Sequence, residues 1–552
     1  MSASKHQESD NVRVKHSLHT KEEEFVVKRR ESVFQSLQKL KIHCSQNKVP
    51  NIALLSSGGG QRAMVGLLGS LVQLDKAGLL DCMLYLSGVS GSTWCMASLY
   101  QEPNWSTKLE TVKEKIIKRV NGPAVSWGDA FAKLKKYYYE KDIFSLTDVW
   151  AAMIVTTYMK EIDEHSLTDK WCQLSKDPFP IYTLTDKQSR QGEGGDPWFE
   201  ISPYEAGYSL IGAFVNSSSF GSQFEHGSKK KQQPEMDMLY LQALCGSALA
   251  GEDSKEFIWG KIQDFIKHLR PSKDMFEETK QEPNSPPAEK CYQVLMDLAD
   301  MNLSVLNDKD PSDLDQSIRT NLNELAGGKR QLIFPIQKLN LADKDAAKLY
   351  MKQYTEDVCN YLSQFSLGPF DLFLSICKCM ALWIWGRNYN FLHKMTDESV
   401  PSAVRESETR DFEDAGLLLN SPYFPVLRKE RNIDLIISLD FSEGDPFMTV
   451  RDVAEMCKKL NISFPEVNIP SEDVEKPKDF YVFKGPNAPT VIHIPLFNEV
   501  NCGDDVETWR NKYRTFQGPY SAEMITELME VSGKNISNNR EKLKEQIGAF
   551  VS

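Results

Sequence analysis

Hydrophobic and polar positions change their period several times along the chain, and each change predicts an element. Residues 21–42, KEEEFVVKRRESVFQSLQKLKI, carry apolar side chains near helical spacing and predict an amphipathic helix. The short apolar runs VPNIALLSS (49–57) and CMLYLSG (82–88) are typical of buried parallel strands. Between them, GGGQRAMVGLLGSLVQLDKAGLL (58–80) predicts a glycine turn and a helix that ends near Gly78.

Later segments complete this pattern. Two strand-like runs, IDLIISLDFS (433–442) and TVIHIPLF (490–497), indicate that the chain returns to the same sheet after a mainly helical middle part. The alternation predicts an α/β fold with a central, mostly parallel sheet flanked by helices. We expect a disordered arm over residues 1–20 and one catalytic domain over 21–552.

Residues 271–289, PSKDMFEETKQEPNSPPAE, break the helical pattern of the middle part. Charged side chains and four prolines predict a mobile insertion rather than a packed element. Such a segment could act as a lid over a site, and a plain solvated linker fits the composition equally well. In the second case membrane contacts would have to come from elsewhere, for example from Lys135 and Lys136.

Composition narrows the function classes. The net charge of −12 over 552 residues argues against a general nucleic-acid-binding protein, which needs a basic face. The 11 cysteines form no CxxC pair or metal-ligand spacing, so neither a metal site nor a disulfide framework is expected. The polar N-terminus predicts no signal peptide, and Asp371 and Lys378 interrupt the longest apolar stretch. We expect a soluble cytoplasmic protein in a reducing compartment.

The stretch YLSGVSGSTW (85–94) places Ser90 between small residues, directly after a strand and before a helix. In one interpretation the serine is an N-cap whose oxygen accepts an amide hydrogen. In the other, the turn is a nucleophile elbow that exposes a reactive hydroxyl at the positive end of the helix.

The glycine turn at 58–60 offers backbone N–H groups to an anion at a helix N-terminus. Gly58, Gly60 and Ala63 also match a dinucleotide-binding fingerprint, which requires an acidic residue after the next strand. That strand instead runs into the Ser90 corner. Arg62 opposes the helix dipole unless an anion is present, so it is a candidate for phosphate recognition as well as for an ordinary ion pair.

A reactive serine needs a base, and two types are available. His393 and His493 are the histidines to consider; His493 would complete a Ser–His–Asp order, although its β-branched strand favours a core histidine. Asp414 precedes Ala415–Gly416 in a loop-like setting and could accept the proton directly.

Six segments together resemble the catalytic domain of the group IV cytosolic phospholipase A2 family, from about residue 25 to 520. They are GGGQRAM, LSGVSGSTW, PWFEISPYEAG, GAFVNSSSFGSQF, WIWGRNYNFLH and EDAGLLLNSPYFPVL with IDLIISLDFS. The resemblance implies a patatin-like fold with a cap or lid insertion. Fewer than fifty residues precede the first catalytic strand, so the chain is most similar to the gamma type, which lacks the calcium-dependent membrane-binding module.

The resemblance also implies roles. Ser90 is then the nucleophile and Asp414 its base, Gly59 and Gly60 form the oxyanion hole, and the substrate phosphate meets Arg62 and, further out, Arg431. The implied substrates are glycerophospholipids, cleaved at the sn-2 ester, and lysophospholipids, on the surface of intracellular membranes and without calcium or another cofactor. A Ser–His–Asp esterase, and a lipid- or dinucleotide-binding protein without turnover, remain the alternatives.

Overall fold

Two compact units make up the structure, a computed structural model that describes residues 12–169, 176–192, 194–251, 254–269, 286–327, 341–365 and 370–552. The first unit comprises 1–130, 150–248 and 388–552, and the second comprises 131–149 and 249–387. The first unit contains the sheet and every residue of the candidate site described below. The prediction of a single catalytic domain over 21–552 stays a prediction.

The strands are short and most of them are buried. They are β1 (Arg13–Val14), β2 (Ile52–Ser56), β3 (Tyr85–Gly88), β4 (Phe179–Asp186), β5 (Trp198–Ile201), β6 (Glu205–Tyr208), β7 (Ala213–Asn216), β8 (Gln223–Glu225), β9 (Ser228–Lys231), β10 (Arg387–Tyr389), β11 (Thr409–Asp414), β12 (Leu435–Asp440), β13 (Tyr481–Phe483) and β14 (Thr490–Pro495).

The helices of the first unit flank these strands. They are α1 (Thr20–Lys39), α2 (Gly60–Lys76), α3 (Gly91–Leu99), α4 (Leu109–Val120), α5 (Trp127–Glu140, which continues into the second unit), α6 (Leu146–Trp150, at the boundary), α7 (Thr156–Met159), α8 (Lys187–Gln191) and α9 (Met238–Cys245). The second unit contains α10 (Lys255–Leu269), α11 (Pro286–Leu306), α12 (Ser312–Leu325), α13 (Lys344–Leu362) and α14 (Phe370–Leu382). The first unit ends with α15 (Ser402–Arg405), α16 (Tyr423–Leu427), α17 (Met448–Leu460), α18 (Glu499–Cys502), α19 (Val506–Lys512), α20 (Ala522–Ser537) and α21 (Arg540–Gly548).

The large sheet has the strand order β1-β7-β6-β5-β4-β3-β2-β12-β14-β13, with β11 and β10 attached through β4. Its central strands, from β4 through β3, β2 and β12 to β14, run parallel to one another. Antiparallel strands extend the sheet on both sides. The parallel strands β2, β3 and β12 are buried along their whole length, as strands covered by helices on both faces must be. The predicted α/β fold with a parallel centre is confirmed.

Residues 12–20 correct the prediction of a disordered N-terminal arm. Arg13 and Val14 pair with Phe214 and Ala213 as an edge strand, and the Arg13 guanidinium forms a 2.6 Å ion pair with Glu205. His19 then caps α1 by accepting a hydrogen bond from Lys21 N–H. Composition alone could not reveal that Arg13 pairs with β7 and with Glu205, since these partners lie about 200 residues away along the chain. Residues 1–11 lie outside the described residues.

The regular elements in the described part of the second unit are helices, apart from Arg387 at the start of β10, and their buried side chains are mainly apolar. Most of the predicted insertion at 271–289 lies outside the described residues, while Pro286–Glu289 form the first turn of α11. Its role as a lid stays a prediction. No helix among the described residues is long and apolar enough to cross a membrane.

Candidate active site

Ser90 occupies a strained corner between β3 and α3. Its backbone angles are φ 53° and ψ −123°, a conformation that costs a non-glycine residue about 1–3 kcal/mol. The Ser90 side chain makes no capping hydrogen bond to α3, which removes the N-cap interpretation of this residue. Ser92 is used instead to tie the turn to β2, since its hydroxyl donates to the Ser57 carbonyl at 2.6 Å. The predicted strand–turn–helix setting of a nucleophile elbow is confirmed.

The glycine turn before α2 lies against this corner. Gly59 has φ 152° and Gly60 has φ 57°, backbone conformations that side chains other than hydrogen rarely allow. A Cβ on Gly91 would overlap the Gly60 carbonyl oxygen, so the absence of a side chain lets the two turns touch. Within the described part of the chain, no acceptor receives the N–H groups of Gly59 and Gly60. Two free donors therefore remain at the N-terminus of α2, a position that favours the binding of an anion.

Asn420 fixes the glycine turn from the opposite side. The Gly58 N–H donates to the Asn420 backbone carbonyl at 3.0 Å, and the Asn420 side-chain amide donates back to the Gly58 carbonyl at 3.1 Å. The same amide donates to Ser442 after β12. Nothing in the local sequence around Asn420 signals this role, because it depends on a contact 362 residues away.

Asp414 ends β11 and is 1% exposed. Its Oδ1 accepts a 2.8 Å hydrogen bond from Gly416 N–H, while Oδ2 has no hydrogen-bond partner among the described residues. Burial raises the pKa of Asp414 to about 7, and the Ser90 hydroxyl is the neighbour that lowers it most. The structure thus brings Ser90 and Asp414 together and leaves one carboxylate oxygen unused, as a base that receives a hydroxyl proton requires.

Arg62 is buried beside the glycine turn, with 2% of its surface exposed. Its Nε donates to the Phe441 carbonyl at 2.7 Å, and Nη1 donates to the Tyr513 carbonyl at 2.8 Å. Nη2 has no hydrogen-bond partner among the described residues and lies 2.8 Å from the position that a Cβ of Gly59 would take. Burial lowers the pKa of the guanidinium. Arg62 therefore stabilises the surrounding loops and keeps one nitrogen available beside the turn.

Arg431 corrects the sequence prediction of a phosphate contact. Its side chain is fully buried and forms ion pairs with Glu22 at 2.9 Å and Glu200 at 2.6 Å. Nη1 donates to the Pro425 carbonyl, and the guanidinium lies over the Tyr85 ring. These carboxylates raise the pKa of Arg431 well above its usual value. An arginine held this way joins α1 to the sheet and does not reach a substrate phosphate.

His493, the histidine of the alternative triad, lies inside the sheet. It is fully buried on β14, and its Nε2 donates to the Pro446 carbonyl at 2.7 Å. Burial lowers its pKa, while the nearby Asp440 carboxylate opposes that shift. Neither His493 nor any other described histidine forms a hydrogen bond with Ser90 or Asp414. His493 is therefore a buried core histidine, as the β-branched residues around it in the sequence suggest.

Glu413 is a further acidic group next to the site that the sequence did not single out. It is 1% exposed, and its Oε2 forms a 2.6 Å ion pair with Arg190 of α8. Lys187 Nζ lies 3.9 Å from Oε1. Consecutive strand residues point to opposite faces, so this pair lies across β11 from the Asp414 carboxylate. The Glu413 charge raises the pKa of Asp414 and the Arg190 charge lowers it, both more weakly than burial raises it.

We expect this ion pair to adjust the pKa of Asp414, which is raised mainly by burial. Arg190→Gln removes the closer of the two cations beside Glu413, so the acidic limb of kcat/KM should move to higher pH by up to about one unit. Glu413→Gln should move the limb to lower pH, and the double variant should return it towards the wild type. Lys187→Gln is the matched control with a smaller shift. Identical acidic limbs in all four variants would contradict the coupling.

Comparison with known proteins places this fold and site in a class. Residues 52–251 match a family model described as the lysophospholipase catalytic domain, a range that contains the glycine turn and the Ser90 corner. The solved structure of human GIVD cytosolic phospholipase A2 has the same fold, with a TM-score of 0.67 and 20% sequence identity. That match covers 99% of this chain and 66% of the other. The chain is thus an enzyme of the phospholipase A2 and lysophospholipase class.

Two curated proteins fix the family more narrowly. The cytosolic phospholipase A2 gamma of Mus musculus is 34% identical over 95% of this chain and 90% of its own length. Its counterpart from Homo sapiens is 30% identical, covering 98% of this chain and 96% of its own length. The chain belongs to the cytosolic phospholipase A2 family, which confirms the family indicated by the sequence motifs.

Proposed function

We propose that the protein hydrolyses the sn-2 acyl ester of glycerophospholipids, and also lysophospholipids, through a Ser90–Asp414 dyad. The observation that carries this proposal is the uncapped, strained Ser90 beside a buried carboxylate with a free oxygen. The relatives named cytosolic phospholipase A2 gamma support the substrate class.

The chemistry proceeds in two halves. Ser90 Oγ attacks the ester carbonyl carbon while its proton passes to the Asp414 carboxylate, and the Gly59 and Gly60 N–H groups hold the negative oxygen. The protonated Asp414 then gives the proton to the leaving lysophospholipid oxygen, which frees the acyl-enzyme. Water attacks that ester while Asp414 accepts a proton from it, and the protonated Asp414 then returns the proton to Ser90 Oγ as the fatty acid leaves.

Arg62 supports the head-group side of this reaction. Its free Nη2 is the one guanidinium nitrogen left for a substrate phosphate near the Gly59 turn. The dinucleotide-binding alternative lacks an observation in its favour, because β3 ends at Gly88 without an acidic residue.

A covalent probe and a defined lipid test the proposal. A fluorophosphonate should label the wild type and Ser70→Ala, a matched serine of α2, but not Ser90→Ala. Phosphatidylcholine with different sn-1 and sn-2 chains should then release the sn-2 acid. Labelling that survives Ser90→Ala would refute Ser90 as the nucleophile, and no labelling of the wild type would refute the dyad and favour a binding protein. Release of the sn-1 acid alone would refute the positional assignment.

We also propose that turnover needs no calcium, as the resemblance to the gamma type implies. The described residues contain no group of three or more His, Cys, Asp and Glu side chains that could hold a metal ion. Vesicle binding and hydrolysis should therefore persist in excess chelator at the wild-type rate. A loss of activity in chelator that added calcium restores would contradict this prediction.

The proposed place of action is the surface of intracellular membranes, reached from the cytosol. The substrate class supports it, because the ester to be cleaved lies at the lipid–water interface. The net charge of −12 means that attraction to anionic lipids would have to come from a local patch.

A further inference from the structure

One loop of the first unit is tied directly to the residues that follow the glycine turn. We call Tyr513–Tyr520 the Phe516 loop. The Gln61 side chain holds it with both ends of its amide: Nε2 donates to the Gly518 carbonyl at 2.8 Å, and Oε1 accepts from Tyr520 N–H at 2.9 Å. Arg62 Nη1 adds bonds to the Tyr513 carbonyl and, at 3.1 Å, to Thr515 Oγ1. The first turn of α2 and the loop therefore behave as one piece.

Further bonds fix the loop from within and from its other side. Tyr520 Oη donates to the Arg514 carbonyl at 3.0 Å, and Arg514 N–H donates to the Gln517 side chain at 3.0 Å. The Gln517 carbonyl accepts from Tyr158 Oη at 2.8 Å. Tyr513 and Tyr520, the first and last residues of the Phe516 loop, are buried. A loop held at this many points cannot fold its tip inward without losing several hydrogen bonds.

Phe516 lies at the tip and is 61% exposed. A single exposed apolar side chain is common on protein surfaces and by itself indicates nothing. Its position distinguishes this one. The preceding residue, Thr515, lies 3.4 Å from where a Cβ of Gly60 would be, so the exposed ring is one residue from a contact with the proposed oxyanion hole.

Charges around the tip nearly balance. Arg514 is exposed and hydrogen-bonds Asn511, while Lys512 pairs with Glu527 at 2.5 Å. The exposed Glu443 accepts a hydrogen bond from Thr515 N–H. A surface of this kind gains more from placing an aromatic ring among lipid head groups and upper acyl chains than from attracting anionic lipids.

We propose that the Phe516 loop is a docking surface for a phospholipid bilayer, and that insertion of Phe516 places the candidate active site at the lipid. This inference rests on the proposed function, since it is the lipid substrate that identifies the occupant. Because Gln61 and Arg62 link the loop to the glycine turn, docking at the tip fixes the position of the catalytic groups relative to the membrane.

Vesicle binding and two kinds of substrate test the inference. Phe516→Ala should reduce co-sedimentation with phosphatidylcholine vesicles about five- to tenfold and lower vesicle hydrolysis in parallel. Hydrolysis of a short-chain ester below its micelle concentration should stay at the wild-type rate. Phe516→Trp should keep or increase vesicle binding. Leu460→Ala, at the end of α17 and with a 48% exposed side chain, is the matched control without an effect.

The outcomes separate the inference from the proposed function. Equal vesicle binding by the wild type, Phe516→Ala and Leu460→Ala would overturn the proposal of a docking surface. That result would not contradict the proposed hydrolytic function. Binding that falls steeply between 50 and 500 mM salt would also overturn it, because an inserted ring is not screened. A wild type that cleaves neither substrate would refute the function, whereas vesicle binding would still report on the loop.

Discussion

Asp414→Asn is expected to lower kcat by about 10²–10⁴-fold, because an amide cannot accept the Ser90 proton. The substitution keeps the shape of the side chain, and its oxygen can still accept the hydrogen bond from Gly416 N–H. In the wild type only the ionised carboxylate is a base, so kcat/KM should rise with pH through about 7, the pKa to which burial raises Asp414. Steady-state kinetics on vesicles between pH 5 and 9 measure both effects.

Stability gives an independent reading of the same substitution. The folded-state pKa of about 7 lies above the value near 4 in the unfolded chain. The carboxyl group therefore contributes stability that is fully present below pH 4 and is lost as the pH rises to 7. The variant has no such loss, and the difference is on the order of 2–4 kcal/mol. We therefore expect the Tm of Asp414→Asn minus the Tm of the wild type to be larger at pH 8 than at pH 5.

A histidine variant supplies the control for the dyad. His493→Gln removes the histidine that the Ser–His–Asp alternative would use. The folded variant should remain largely active. Full activity of Asp414→Asn together with loss of activity in His493→Gln would overturn the dyad and restore the Ser–His–Asp alternative.

Gly91→Ala is expected to abolish activity and to destabilise the first unit by more than about 3 kcal/mol. A Cβ at this position overlaps the Gly60 carbonyl oxygen, which is backbone and cannot rotate away. The constraint is space rather than conformation, since Gly91 is not among the glycines with positive φ. Relief of the overlap requires α2 and α3 to separate, which moves Ser90 away from the Gly59 and Gly60 amides.

The matched control is Gly548→Ala in the last turn of α21, where a Cβ meets nothing within 4 Å. It should leave Tm and fluorophosphonate labelling at wild-type values or raise Tm slightly. Thermal unfolding and the labelling rate measure both variants. If Gly91→Ala unfolds and labels like Gly548→Ala, the two turns are not in the contact described here.

Some of the site could be predicted because its signals are local. The order of strand, glycine turn, helix, strand and serine corner is written in consecutive residues, and the structure places each element there. The position of Asp414 before Ala415–Gly416 and the family motifs indicate this residue as the base, and the structure brings it to Ser90. Hydrophobic periodicity and glycine position act over a few residues, which is why they can be interpreted without a fold.

Other residues could not be assigned this way, because their partners are distant in sequence. Arg431 stands in a polar stretch that looks solvated, yet one of its two carboxylate partners, Glu22, is 409 residues away. Gln61 has no local signal of its role either, because its side chain accepts a hydrogen bond from Tyr520 N–H, 459 residues along the chain. The local sequence around such a side chain does not tell whether it is exposed to solvent or buried in an ion pair, because the distinction depends on residues far away along the chain.

The sequence by itself determined the α/β elements, the family and the strand–turn–helix corner at Ser90, since each depends on the period of apolar residues or on a short motif. Only the tertiary structure decided which polar side chains reach the site. It kept Asp414 beside Ser90 and Arg62 beside the glycine turn, and it placed Arg431 and His493 in hydrogen bonds elsewhere. Burying a polar group without partners is costly, so the partners available in the fold, and not the residue type, set its role.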